Sequence, residues 1–216
     1  MGPVQAAPLP TGTDLEADGW QVVRFPGITP SEFIGKGTDG VELIAKDSSA
    51  LLLRPIEEDG SPVARLRWRW RVDTVAHESD LATKGADDRP LALHVWFPPS
   101  EEGRGIWDRF VDGIKTKILG VELSGRVLTY VWGGRQARGS KFVNPHTGPD
   151  GMMIILRGGA SETGIWFEEE VDIVADYAMA FGGPAPKPSY IALSADSDDL
   201  GGRSAGRIQG IMFSER

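Results

Sequence analysis

Apolar and polar residues alternate in short runs along most of the chain, the period a half-buried strand requires. The clearest run is 65–72, where Leu66, Trp68, Trp70 and Val72 fall on one side and Arg65, Arg67, Arg69 and Arg71 on the other. A helix would spread those four arginines around its axis, so the run predicts a strand with one buried face. Segments 20–25, 41–45 and 50–53 alternate in the same way. Further strands are predicted at 91–97, 127–132, 152–156, 165–171, 190–195 and 208–213. Turn-forming clusters separate them at 58–62, Gly133-Gly134, Asn144-Pro145, 148–151 and 157–159, and the two Gly-Gly pairs read as hairpin turns. Two segments break the period of two. Ile106, Phe110, Ile114 and Ile118 recur every four residues before Gly120, and 172–181 ends at Gly182-Gly183-Pro184, so two short helices are expected.

Many short strands with two helical crossovers suit a jelly-roll antiparallel β-sandwich better than a simple meander. A single domain over 15–216 is expected, after a flexible N-terminal segment at 1–14. Composition supports the all-β reading, because 28 Gly and 15 Pro in 216 residues supply turns and disfavour a helical bundle. Charge narrows the partners: 23 Lys and Arg against 31 Asp and Glu leave a net −8, which argues against nucleic acid. No run approaches the roughly 18 apolar residues of a membrane span. Cysteine is absent, which removes disulfides, thiolate metal sites and cysteine nucleophiles. The first ten residues lack the pattern of a signal peptide but are small and proline-rich, like the stretch that follows a cleavage site. A periplasmic or secreted protein without its leader is therefore expected.

Several landmarks recur together: Trp20 with Phe25-Pro26, the Leu66, Trp68 and Trp70 strand, Asp87-Asp88 before Leu91, and Tyr130-Val131-Trp132. Asn144-Pro145, Asp176-Tyr177 with Phe181-Gly182, and Asp196-Ser197-Asp198 complete the set. On these residues the chain resembles the bacterial domain of unknown function 3047 along most of its length. The resemblance implies an exported bacterial protein and is compatible with the expected sandwich being galactose-binding or carbohydrate-binding-module-like. It brings no established activity and no catalytic residue. Where that family has a polar residue and a threonine after the second aspartate, this chain has Asp199 and Leu200.

If every strand turns its apolar set inward, Arg65, Arg67, Arg69 and Arg71 face outward on one strand and Ala92, His94 and Trp96 on another. Trp166, Glu168, Glu170 and Asp172 do so on a third, where Glu169 interrupts the apolar set and predicts a bulge or a twist. Tyr130 and Trp132 join this face in one of the two registers open to an all-apolar strand. Aromatic rings cover the C–H face of a pyranose, while guanidinium and carboxylate groups bond its hydroxyls. A polysaccharide or oligosaccharide is thus the expected partner, bound without catalysis, and an arginine row could also grip uronate carboxylates. The same Arg and Glu alternation equally describes a solvated sheet surface held by cross-strand pairs.

A glycan-active enzyme is the alternative. Glu168 and Glu170 lie about 7 Å apart along a strand, a spacing within the inverting-glycosidase range that any i, i+2 pair satisfies. His94 or Tyr130 would be the base of a polysaccharide lyase. A protein-interaction or assembly module is a third class. Asp196, Asp198 and Asp199, followed by Gly201-Gly202, are candidate ligands for a structural calcium shared with Asp39 or Asp47. No other cofactor is expected. In the pair Asp87-Asp88, repulsion would raise one pKa unless loop N–H groups bind the carboxylates. His77, His94 and His146 lack zinc spacing, and no serine elbow, P-loop or Rossmann fingerprint is present.

Overall fold

The computed structural model describes residues 15–56, 63–99 and 125–215. Within them, one sheet runs β1 (Gln21–Arg24), β4 (Ser49–Pro55), β11 (Tyr190–Asp196), β6 (Leu91–Phe97), β7 (Arg126–Trp132), β9 (Gly148–Arg157) and β8 (Lys141–Asn144) from edge to edge. The second runs β10 (Phe167–Asp172), β5 (Arg65–Thr74), β12 (Arg203–Ser214), β3 (Val41–Lys46) and β2 (Glu32–Gly35). Neighbours are antiparallel except β7 and β9, which run parallel. The two sheets form a jelly-roll-like β-sandwich around one apolar core. The short edge strands β2 and β8 were not predicted from the sequence.

The core is built by the inward sets that the period of two predicts. Leu66, Trp68, Trp70 and Val72 of β5 meet Leu91, Leu93, Val95 and Phe97 of β6 and Leu128, Tyr130 and Trp132 of β7. Trp68 and Trp70 pack edge to face at 5.4 Å, and Trp70 meets Trp132 at 5.6 Å. Burying roughly 200 Å² of one such ring contributes on the order of 5 kcal/mol before the entropy of ordering it. Of the two expected helices, α1 (Ile173–Phe181) is observed; it begins where the Asp172 carboxylate accepts the Ala175 N–H at 2.8 Å. The helix expected at 106–119, the turn at 58–62 and the segment 1–14 lie outside the described residues.

Two local expectations are corrected. The Gly-Gly pairs are not hairpin turns: they lie side by side where the parallel β7 and β9 leave the sheet. Gly133 N–H donates to the Arg157 carbonyl at 2.8 Å and Gly159 N–H to the Gly134 carbonyl at 2.7 Å. A Cβ at Gly159 would stand 3.1 Å from that carbonyl, so a larger residue would push the two strand ends apart by a few tenths of an ångström. The bulge at Glu169 is also absent, since β10 pairs with β5 without a break from Phe167↔Trp70 to Asp172↔Arg65. The buried Glu169 carboxylate instead accepts hydrogen bonds from Trp70 Nε1 at 3.1 Å and Arg157 Nε at 2.6 Å. A paired guanidinium accommodates the inward acid without bending the strand.

Candidate functional site

The outward residues predicted as one surface occupy opposite sides of the sandwich, because β5 and β10 belong to one sheet and β6 and β7 to the other. On the outer face of the second sheet, Glu168 stands opposite Arg69 and Glu170 opposite Arg67. Glu170 takes Arg65 at 2.6 Å and Arg67 at 2.5 Å, and Arg71 pairs with Asp73 at 2.7 Å. The Trp166 ring lies 5.5 Å from the guanidinium of both Arg69 and Arg71. Hydrogen bonds from Arg67 and then Arg65 hold the Glu170 carboxyl below its ordinary value. This face spends much of its charge on itself.

Tyr130 and Trp132 belong to neither outer face, since both are fully buried between the sheets. The Tyr130 hydroxyl donates to Asp176 at 3.0 Å, and burial raises the phenol well above its usual range, with the charge of Asp176 adding. A lyase base needs access and the opposite shift, so Tyr130 is withdrawn from that role and, with Trp132, from the ligand face.

The first sheet carries a concavity. Its outer face is apolar at Leu51, Leu53, Trp96, Val127 and Ala192 on one side and at Leu81, Ala92, Val131 and Met153 on the other. A polar track crosses between these patches. His94 Nδ1 lies 3.1 Å from Thr129 Oγ1, and Nε2 lies 2.9 Å from Ser194 Oγ. Burial, and secondarily the charge of Arg89, keeps the His94 imidazole well below its usual pKa, so it is neutral. Trp96 packs beside it at 5.4 Å. Over this floor opens a cleft of about 460 Å³. Its walls come from four loops: Phe25, Pro26 and Ile28; Lys84, Asp87 and Arg89; Asn144, His146 and Thr147; and Asp196, Asp198 and Asp199.

Acidic groups gather at this cleft. Arg89 donates its backbone N–H to Asp196 Oδ1 at 2.6 Å, its guanidinium lies 3.0 Å from Asp196 Oδ2, and the same group reaches Asp87 at 3.4 Å. His146 Nε2 meets Asp87 Oδ2 at 2.8 Å. Asp88 binds the opposite loop, accepting the Asp199 N–H at 3.1 Å and the Leu200 N–H at 2.8 Å. Burial works to raise the Asp87 carboxyl, yet the His146 hydrogen bond and the charges of Arg89 and His146 hold it below its usual value. Mutual repulsion therefore does not lift Asp87. The raised carboxyls stand across the cleft. Burial pushes Asp196 up to about 7 against the pull of Arg89, with Asp88 and Asp87 adding. Asp198 and Asp199 are also raised, by burial first; the neighbouring aspartates contribute to both.

The three predicted calcium ligands thus differ in commitment: Asp196 is held by Arg89, while Asp198 and Asp199 are exposed. Asp47 stands by this loop through its bond from the Gly202 N–H at 2.7 Å. Among the described residues, no three histidines, aspartates or glutamates are arranged to hold a metal ion. Likewise, among them no helix is long and apolar enough to cross a membrane. Sequence reasoning missed Phe25, Lys84, Arg89, Thr129, Asn144, His146, Thr147 and Ser194 as site residues. One signal could have found several of them: the landmarks Phe25-Pro26, Asp87-Asp88, Asn144-Pro145 and Asp196-Ser197-Asp198 sit in four separate loops that converge here.

A family model described as a protein of unknown function (DUF3047) matches residues 18–212. No curated protein matches the chain. Among solved structures, the chain is similar to the xyloglucanase domain of NopAA, a type three effector from Sinorhizobium fredii, in complex with cellobiose. Identity is 9%, coverage 100% of this chain and 99% of that one, and the TM-score 0.49. It is also similar to a family 11 carbohydrate-binding module from Clostridium thermocellum in complex with a β-1,3-1,4-mixed-linked tetrasaccharide, at 11% identity, 98% and 96% coverage and TM-score 0.44. A third is the enzymatically active domain of tailspike protein 4 from bacteriophage CBA120, at 6% identity, 94% and 20% coverage and TM-score 0.39.

Proposed function

We propose that this chain, which belongs to the DUF3047 family, is an exported glycan-binding sandwich that holds its sugar in the cleft of the first sheet without catalysing a reaction on it. One observation carries the reading. A single concavity of about 460 Å³ joins an apolar floor to hydrogen-bonding side chains from separate loops, the combination a small-molecule site uses for affinity and orientation. Phe25, Pro26, Ile28 and Trp96 offer surface to the C–H face of a pyranose. Asp198 and Asp199 accept from its hydroxyls, and Asn144 and His146 lie within the same walls. The arginine face is internally paired, which makes it the weaker support for a ligand.

A second reading, a glycan-active enzyme, is favoured by one feature: Asp87 is held down and Asp199 is held up within the same cleft. Two carboxyls driven apart in pKa are what a base and an acid require. Affinity electrophoresis through neutral and acidic polysaccharides tests the primary reading. Retardation by a glycan is expected for the wild type and for Arg69→Ala, and is weakened in Phe25→Ala and Asp199→Asn. Loss in Arg69→Ala alone, or no retardation at all, overturns it. Release of reducing ends or unsaturated products from the retarding glycan would install the enzyme instead. Cell fractionation of the native protein tests export, which a cytosolic, full-length product would overturn.

A further inference from the structure

We infer that the cleft selects a glycan bearing a free ammonium group, an unacetylated amino sugar, over neutral and uronate glycans; this rests on the glycan reading above. Negative charge is left over in the cleft. The lining holds Asp87, Asp196, Asp198 and Asp199 against Lys84 and Arg89. Arg89 is already spent, bridging Asp196 at 3.0 Å and Asp87 at 3.4 Å. His146 is likewise committed to Asp87 at 2.8 Å. No cation among the described residues is paired with Asp198 or Asp199. Crowding of these acids contributes to the raised pKa of both, after burial.

An ammonium placed between them relieves that repulsion and gains charge-assisted hydrogen bonds. A uronate carboxylate adds another negative charge to the same wall, opposed by Lys84 alone. A bare cation would satisfy the acids but makes no use of the apolar floor at Phe25, Pro26 and Trp96 or of a volume near 460 Å³. A sugar ring carrying an amine uses both. The selectivity therefore follows from the cleft and not from the acids alone.

Isothermal titration of the full chain tests this with three tetramers at matched ionic strength and mildly acidic pH: glucosamine, N-acetylglucosamine and galacturonate. The expected result is at least about tenfold tighter binding of the glucosamine tetramer than of its acetylated counterpart, and no measurable galacturonate binding. The ratio should shrink as salt rises and fall towards one in the Asp198→Asn, Asp199→Asn double variant. The salt series on the wild type keeps the test intact if that variant fails to fold. Equal affinity for the acetylated and free tetramers overturns the inference and leaves the glycan reading standing. Tighter galacturonate binding also overturns it and redirects attention to the arginine face. Tetralysine binding as tightly as the amino sugar reduces it to general cation attraction. No binding of any sugar removes both readings together.

Discussion

On the outer face of the second sheet, Arg65 and Arg67 close on Glu170 within 2.6 Å in open water, whereas in the cleft of the first sheet Asp198 and Asp199 pair with no cation among the described residues. Both regions are rich in charge, and both were built by strands that alternate. They differ in shape and in balance. The open face neutralises its charges pairwise, lowers the Glu170 pKa and offers a partner little that water does not. The cleft buries Asp196 against Arg89 and partly desolvates Asp198 and Asp199 with no cation among the described residues paired to them, so all three pKa values rise. An imbalance maintained inside a concavity is a better pointer to a ligand than a long charged row.

The largest effect that sharpens this contrast lies on a single strand. Glu169→Ala leaves the half-buried Arg157 and the buried Trp70 indole N–H without their acceptor and should cost about 3 kcal/mol in urea unfolding. Glu170→Ala, the next residue, should leave the urea midpoint unchanged. Equal effects at both positions would break the distinction between inward and outward charge in β10.

Next in size is the pH dependence of stability. The Asp196 pKa is raised from 3.8 to about 7 in the folded protein. The native state therefore keeps a proton that the unfolded chain has lost, and this group's contribution falls as pH climbs between those two values. Asp198 and Asp199 tilt the same way. Asp87, Glu42 and Glu170, whose pKa values are lowered, weaken the fold only as pH falls below the ordinary carboxylate range. The unfolding free energy in urea should decline from about pH 4.5 to about pH 7.5 by an amount on the order of 1–3 kcal/mol, and Asp196→Asn should flatten that decline. A slope that survives the substitution would place its source elsewhere.

A smaller effect separates the two faces as binding surfaces. Phe25→Ala should weaken glycan affinity about tenfold, near 1.4 kcal/mol, with Trp166→Ala unchanged in the same titration. The reverse order would return the site to the arginine face. The smallest expected change is at Glu170→Gln, which should alter neither retardation nor its salt dependence.

Much of the fold was legible because alternation is local. The strands from 65, 91, 127 and 190 were found within a few residues, and so was the helix that Asp172 caps. Trp68 and Trp70 were placed inward and the arginines outward, as observed. The site was legible only in fragments. His94 and Trp96 were rightly turned outward, and both line the cleft, yet they were joined to Arg69 and Glu168 on the far side of the molecule. Asp87-Asp88 and the Asp196–Asp199 loop were each singled out without any sign that they meet.

The sequence by itself determined which residues of a strand share a side, because the period of two belongs to the covalent backbone. It also determined the shortage of positive charge that the cleft inherits. Only the tertiary structure decided which strands share a sheet, and hence that the arginines and His94 point away from each other. It alone placed Tyr130 and Trp132 inside, brought Arg157 to the inward Glu169, and set four loops around one concavity. Those outcomes depend on pairing between residues far apart in the chain, as between Asp47 and the Gly202 N–H, 155 positions away. Such pairing is settled by the packing of two whole sheets and leaves no periodic trace along the chain.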